Sequence, residues 1–74
     1  MSISYSRLWK LLIDKNMNKS QLRSAAGIST NAIAKLGKGE SVSLETLEKI
    51  CIALDCNIGD IVELVPNEEK NNHE

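Results

Sequence analysis

The sequence predicts an all-α fold of four to five short helices around one small core. Apolar residues recur three and four positions apart in most segments of the chain. Capping residues such as Asn18 and Ser43 precede these segments, and glycines such as Gly27 and Gly39 follow two of them. The chain has no internal repeat and no alternating strand–helix pattern, and its 74 residues are enough for one small domain.

The first helix is predicted from a serine cap, either Ser4 or Ser6, to about Lys15. Its apolar stripe consists of Leu8, Leu11 and Leu12. The residues before it form either a frayed end or a small edge strand. In the second case residues 3–5 would pair with residues 63–65, because both segments are apolar at alternate positions.

The second helix is predicted over residues 19–26. Asn18 is its N-cap, since an asparagine side chain accepts hydrogen bonds from free amides of the first turn. Gly27 ends it, because glycine adopts a positive φ without a Cβ clash. The side predicted to face inward carries Leu22, Ala25 and Ala26. The two alanines would allow a close approach to the next helix.

The third helix follows after only two or three residues and is predicted over residues 30–36. Ser29 or Thr30 is its N-cap, and Gly37 and Gly39 are candidate C-terminal glycines. So short a connection makes the two helices cross steeply. The apolar anchors are Ile28, Ile33 and Leu36. When these three residues face the core, the side chains that face outward are Thr30, Asn31, Ala34 and Lys35.

Two further helices complete the prediction. Ser43 caps a helix whose apolar stripe is Leu44, Leu47, Ile50, Cys51 and Leu54. Asn57 caps a last helix from residue 58 to about 64, with Ile58, Ile61 and Val62 inward. Residues 65–66 stop it. Residues 67–74 are polar and are expected to form a disordered tail, so the predicted domain is 1–66.

Charge is distributed unevenly along the chain. The net charge of −1 and the pI near 5.8 argue against a general nucleic-acid binder. Residues 15–39, however, carry five Lys or Arg and no acid, whereas residues 40–74 carry nine Asp or Glu and two Lys. This predicts one face suited to phosphates. The alternative is an ordinary solvated charged surface.

Residues 18–39 resemble the helix-turn-helix of the Cro/cI-type (XRE) regulators, and the resemblance extends over about residues 7–65. The matching positions are Leu22, Gly27, Ile28, Ser29, Ile33, Leu36 and Gly39. The resemblance implies a lambda-repressor-like DNA-binding domain with a central helix-turn-helix. Two positions depart from the pattern: Arg23 stands where the family usually has alanine, and Gly37 where it often has glutamate.

The resemblance also implies which side chains meet DNA. Base contacts are expected from Thr30, Asn31, Ala34 and Lys35. Asparagine suits adenine and lysine suits guanine in the major groove. Phosphate contacts are expected from Asn18, Lys19, Ser29, Lys38 and Arg23. For each of these residues the alternative is plain exposure on a helix surface.

Other chemistry has little support in the sequence. Cys51 and Cys56 lack a second Cys/His pair to complete a zinc site, and His73 is the only histidine. No glycine-rich phosphate loop is present. We therefore expect no enzyme activity, cofactor, metal or small-molecule ligand. Without an apolar run of membrane-spanning length or a signal peptide, a cytoplasmic protein is expected.

Two functions from different classes fit these observations. The first is a sequence-specific DNA-binding regulator, with repression favoured by the resemblance. Such a protein would bind double-stranded DNA as a homodimer on a near-palindromic operator. The second is a helical protein-interaction module, such as an antitoxin-like or accessory protein, whose acidic residues 40–74 bind a partner.

Overall fold

Four α-helices, a 3-10 helix and two short strands make up residues 2–66, the part of the chain that the computed structural model describes. In chain order these are β1 (Ser2–Ser4), α1 (Ser6–Asp14), α2 (Lys19–Ala26), α3 (Thr30–Lys38), α4 (Leu44–Leu54), the 3-10 helix (Ile58–Asp60) and β2 (Glu63–Val65). The predicted fold of short helices is confirmed. The tail predicted over residues 67–74 lies outside the described residues.

The core draws at least one side chain from each α-helix. Its buried members are Tyr5, Leu8, Leu12, Leu22, Ile28, Leu36, Ile50, Leu54 and Ile61. Leu22 of α2 and Ile50 of α4 are both 0% exposed, and α2 packs against α4 as well as against α3. Burying one such side chain contributes about 1.5–3 kcal/mol to folding. The core thereby fixes the orientation of the α2–α3 pair.

Local hydrogen bonds define the start of α2 as predicted. The Asn18 side chain accepts from the Gln21 amide at 2.8 Å, and the Gln21 side chain accepts from the Asn18 amide at 2.8 Å. This reciprocal capping box satisfies two amides that the helix itself leaves free. Gly27 follows the helix with φ of 68°, so the predicted glycine stop is confirmed.

Gly27 offers a direct test of this helix end. We expect Gly27→Ala to destabilise the domain by about 1 kcal/mol, because an L-residue meets a Cβ clash at positive φ. A Cβ at Gly27 would meet no other atom within 4 Å, so the loss would come from the backbone alone. Urea denaturation measures it. Gly59→Ala is the control, since that site is equally open and has no positive φ; equal losses in both variants would contradict the assignment.

The third helix begins at the predicted place and ends later than predicted. Ser29 is the cap, because its hydroxyl accepts from the Ala32 amide at 3.1 Å. The helix extends to Lys38, past the predicted end at residue 36. Gly37 therefore lies inside the last turn, and Gly39, with φ of 74°, is the residue that ends the helix.

The beginning of α1 differs from its prediction. The N-cap position is Tyr5 and not Ser4 or Ser6, and the Tyr5 side chain makes no capping hydrogen bond. The Ser4 hydroxyl nevertheless accepts from the amide of Ser6, the first residue of α1, at 3.3 Å. Tyr5 is buried instead, and its hydroxyl donates to the Glu40 carbonyl oxygen at 2.7 Å. Burial raises the pKa of this hydroxyl above its ordinary value. The contact ties the start of α1 to the chain that follows α3.

The predicted last helix over residues 58–64 is wrong. Only the 3-10 helix Ile58–Asp60 forms, where the Asp60 carboxylate accepts from the Asn57 amide at 2.9 Å. Residues 63–65 form β2, which pairs antiparallel with β1 in the register Ser2↔Val65, Ile3↔Leu64 and Ser4↔Glu63. Of the two alternatives for the N-terminal residues, the strand is therefore present. Pairing with β1 satisfies backbone groups that a helix would have satisfied internally.

Three apolar residues predicted to face inward are exposed. Leu44 is 67% exposed and Ile58 is 41% exposed, because each stands first in its helix, at the margin of the core. Ala25 is also exposed, whereas Ala26 is half-buried and packs against the core. No helix within residues 2–66 is long and apolar enough to span a bilayer.

Candidate nucleic-acid interface

One side of α3 presents a row of exposed side chains. Leu36 is 1% exposed and Ile33 is half-buried, and these two hold the opposite side against the core. The predicted base-reading residues Thr30, Asn31, Ala34 and Lys35 are all exposed. The helical repeat explains this division, because positions 32, 33 and 36 face inward and leave positions 30, 31, 34 and 35 outward.

A shallow groove of about 240 Å³ runs beside this row. On the α3 side it is lined by Ser29, Asn31, Ala32 and Lys35, and on the other side by Val42, Ser43 and Thr46. From the sequence Ser43 is predicted only as a helix cap, and Thr46 is not among the predicted site residues. Ser43 and Thr46 stand at the start of α4, shortly after the end of α3. Two hydroxyl residues at such a place in the sequence could have indicated polar groups beside α3. Their hydroxyl oxygens lie 3.0 Å apart.

Four cations of the helix pair remain available for phosphates. Lys19 and Arg23 lie on α2, and Lys35 and Lys38 lie on α3, all of them exposed. Within residues 2–66 the ion pair is Arg7–Glu63 at 3.4 Å, so no carboxylate neutralises the four. Positive charge that is not neutralised by ion pairs attracts a polyanion over several ångströms.

The two neutral residues expected at phosphates already serve the backbone. Asn18 and Ser29 use their side-chain oxygens as acceptors in the N-caps of α2 and α3. The Asn18 amide group and the Ser29 hydroxyl each keep a donor, because the capping bond uses only an oxygen lone pair. Both residues are exposed, so these donors are accessible from outside.

Lys19 makes a contact that the sequence did not reveal. Its Nζ lies 4.7 Å from the centroid of the Trp9 ring, within the range of a cation–π interaction. Trp9 belongs to α1 and Lys19 is the first residue of α2. Ten positions separate them in the sequence, so helical spacing gives no signal for the pair.

The two cysteines do not line the groove beside α3: Cys51 lies in the last turn of α4 and Cys56 follows the end of that helix. Both are half-buried free thiols. Burial and, next, the Cys51 thiol raise the pKa of Cys56 to about 11, which keeps it protonated at neutral pH. Within residues 2–66 no three metal-binding side chains cluster together. The expected absence of a metal stays a prediction.

The sequence model of the Cro/C1-type helix-turn-helix DNA-binding domain matches residues 7–67. The chain belongs to this family. Its matched range includes α2, α3, α4 and all of α1 except Ser6, and the α2–α3 pair is the helix-turn-helix. The predicted resemblance and the predicted lambda-repressor-like fold are both confirmed. As a member of the family, the chain is a DNA-binding transcriptional regulator of the helix-turn-helix class.

Two individual proteins support the assignment to this family. The chain is 38% identical over 61 residues to the uncharacterized HTH-type transcriptional regulator YozG of Bacillus subtilis strain 168, covering 80% of this chain and 73% of that protein. It is also similar to the crystal structure of transcriptional regulator VanUg, with a TM-score of 0.85 and 53% sequence identity. That match covers 89% of this chain and 88% of the other.

Proposed function

We propose that this protein is a sequence-specific transcriptional repressor that binds an operator as a homodimer and reads the major groove with α3. The observation that carries the proposal is the exposed polar row of α3, flanked by cations and free of carboxylates. An α-helix fits the major groove, where each base pair presents its own pattern of donors and acceptors. Because α2 packs against both α4 and α3, it holds α3 at the surface, and the exposed side chains of α3 can reach that pattern.

Each side chain of the row has a matching base edge. The Asn31 amide offers one donor and one acceptor, as the major-groove edge of adenine requires, and Lys35 can donate to guanine. The Thr30 hydroxyl suits either kind of partner. The Ala34 methyl group can contact the methyl group of thymine. The row therefore combines polar and apolar readout on one helix face.

Phosphate contacts would set the position of α3 in the groove. Lys19 and Arg23 on α2 and Lys38 at the end of α3 supply charge, and Asn18 and Ser29 supply neutral donors. Such contacts fix register and orientation on the duplex and carry no direct sequence information. The phosphate contacts would therefore position the protein, and the base-reading row would supply sequence specificity.

A homodimer is proposed because one α3 reads too few bases. The helix has nine residues, so it is about 13 Å long and reaches roughly four to five base pairs. Two-fold pairing would place two such helices about 34 Å apart, one turn of DNA, on a near-palindromic site. Bound over a promoter, the dimer would exclude polymerase by steric competition, which is the basis for proposing repression.

Selection of bound sequences from a random DNA pool tests the proposal. We expect enrichment of a near-palindrome whose half-sites are centred about one helical turn apart. Placed over the promoter of a reporter gene, this motif should lower transcription when the protein is present. Failure to enrich any motif would overturn sequence-specific binding. A single unpaired half-site would overturn the homodimer, and increased transcription would overturn repression.

Affinity for the selected site should depend steeply on salt. The charged phosphate contacts proposed are Lys19, Arg23 and Lys38 in each of two protomers. Because each neutralised phosphate releases condensed counterions, we expect a plot of log K against log[salt] to have a slope of about −5. Titration of a labelled duplex at several salt concentrations measures it. A slope near zero would contradict the phosphate contacts.

A further inference from the structure

The ammonium group of Lys19 lies between two other helices. On one side is the half-buried Trp9 ring of α1, with Nζ 4.7 Å from the ring centroid. On the other side is the last turn of α3, where a Cβ built on Gly37 would lie 3.5 Å from the same Nζ. The ammonium group therefore lies at an ordinary van der Waals distance from the position that a Cβ of residue 37 would take.

No acidic side chain competes for this ammonium group. Among residues 2–66, no carboxylate lies within 4.0 Å of Lys19. A lysine ammonium has three N–H donors, and the ring face accepts from one side only. Because Lys19 is exposed and makes no ion pair within residues 2–66, the remaining donors are available to an anion. An exposed lysine otherwise has a large rotamer freedom, which it loses on binding.

We propose that Trp9 is a positioning residue that holds the Lys19 ammonium group in place for a DNA phosphate before DNA arrives. This inference rests on the proposed function and goes beyond it, since Trp9 itself need not contact DNA. Restricting Lys19 in the free protein reduces the ordering that binding requires, and affinity rises for that reason. The neutral ring achieves this without cancelling the charge, whereas a carboxylate in the same place would compete with the phosphate.

A double-mutant cycle tests the proposal. The variants are Trp9→Leu, Lys19→Met and their combination, measured by fluorescence anisotropy on a labelled duplex carrying the selected motif. We expect Trp9→Leu to weaken binding on the order of two- to fivefold per protomer, the range of an exposed cation–π contact. In the Lys19→Met background, Trp9→Leu should have no further effect. Lys19→Met should also flatten the salt slope by about 0.9 per protomer.

Lys38 supplies the matched control. It is an exposed cation of the same interface and has no ring contact among residues 2–66. In the Lys38→Met background, Trp9→Leu should therefore still weaken binding two- to fivefold. Equal weakening of Lys19→Met and Lys38→Met by Trp9→Leu would show that Trp9 has a merely structural role and would overturn the proposal.

A measurement on the free protein covers the case in which Trp9→Leu fails to fold. Ring-current shifts should move the NMR signals of the Lys19 ε-methylene protons upfield in the unmodified chain, and Trp9→Phe should keep part of the shift and of the affinity. Unshifted signals would overturn the proposal while leaving the proposed function intact. Failure of the unmodified chain to select any motif would overturn the proposed function, and this inference with it.

Discussion

The double variant Asn31→Ala, Lys35→Ala is expected to lose sequence-specific DNA binding and to keep its fold. Each well-placed base contact of this kind contributes about 1–3 kcal/mol of discrimination. Two such contacts correspond to a loss of roughly 30- to 20,000-fold in affinity for the selected site per protomer. Folding should be unaffected because both side chains are exposed and make no side-chain hydrogen bond within residues 2–66. Alanine also favours the helical state.

The effect is measured as the ratio of affinities for the selected motif and for an unrelated duplex. Specific affinity should fall toward the non-specific value, which depends mainly on phosphate contacts. Lys49→Ala is the control, since Lys49 is an exposed cation of α4 that lies outside the groove beside α3. Its specificity ratio should be unchanged. Intact specificity in the double variant would show that α3 does not read the bases.

The same variant separates the two functions that the sequence left open. A protein-interaction module whose acidic half binds a partner would be indifferent to changes at Asn31 and Lys35, because neither residue belongs to residues 40–74. A DNA-binding regulator would lose its operator. Family membership supports the loss of operator binding that a DNA-binding regulator would show, and the variant tests this on the chain's own residues.

The parts of the fold that the sequence predicted well depend on local interactions. The cap of α2 involves Asn18 and Gln21, three residues apart, and its end depends on the positive φ of Gly27 alone. Such features are decided within one helical turn and can be read from residue types. For the same reason the outward side of α3 follows from the spacing of Ile33 and Leu36.

The parts that it predicted poorly depend on contacts between distant segments. For residues 63–65 the sequence left a helix and a strand both open, and they form the strand because β1, about sixty positions earlier, pairs with their backbone groups. The Trp9–Lys19 contact and the position of Thr46 beside α3 likewise need the packed helices to be in place. Periodicity within a segment gives no information about which partner lies opposite it.

Leu44 shows where periodicity itself fails. Leu44 stands at helical spacing from Leu47 and Ile50, so it was predicted to share their stripe. It is nevertheless 67% exposed, because it is the first residue of α4 and lies at the margin of the core. A stripe identifies the side of a helix that faces inward but not how far along that side the core extends.

Leu22→Ala should therefore have an effect on stability that Leu44→Ala lacks, although the chemical change is the same. Leu22 is 0% exposed on the side of α2 that meets the core, so its truncation should cost about 2–5 kcal/mol by lost burial and cavity formation. A domain of this size has a total free energy of unfolding of roughly 3–10 kcal/mol. Leu44→Ala should stay within about 0.5 kcal/mol of the unmodified chain.

Urea denaturation of the two variants measures both effects. For Leu22→Ala we expect a large unfolded fraction at 37 °C, with operator binding reduced in proportion to the folded fraction. The base-reading residues would be unchanged in this variant, so excess ligand should restore binding by shifting the folding equilibrium. Similar losses in the two leucine variants would contradict the core described here. Such a result would also mean that Leu22 does not hold α2 against the core, and therefore that α2 does not support α3 for reading DNA.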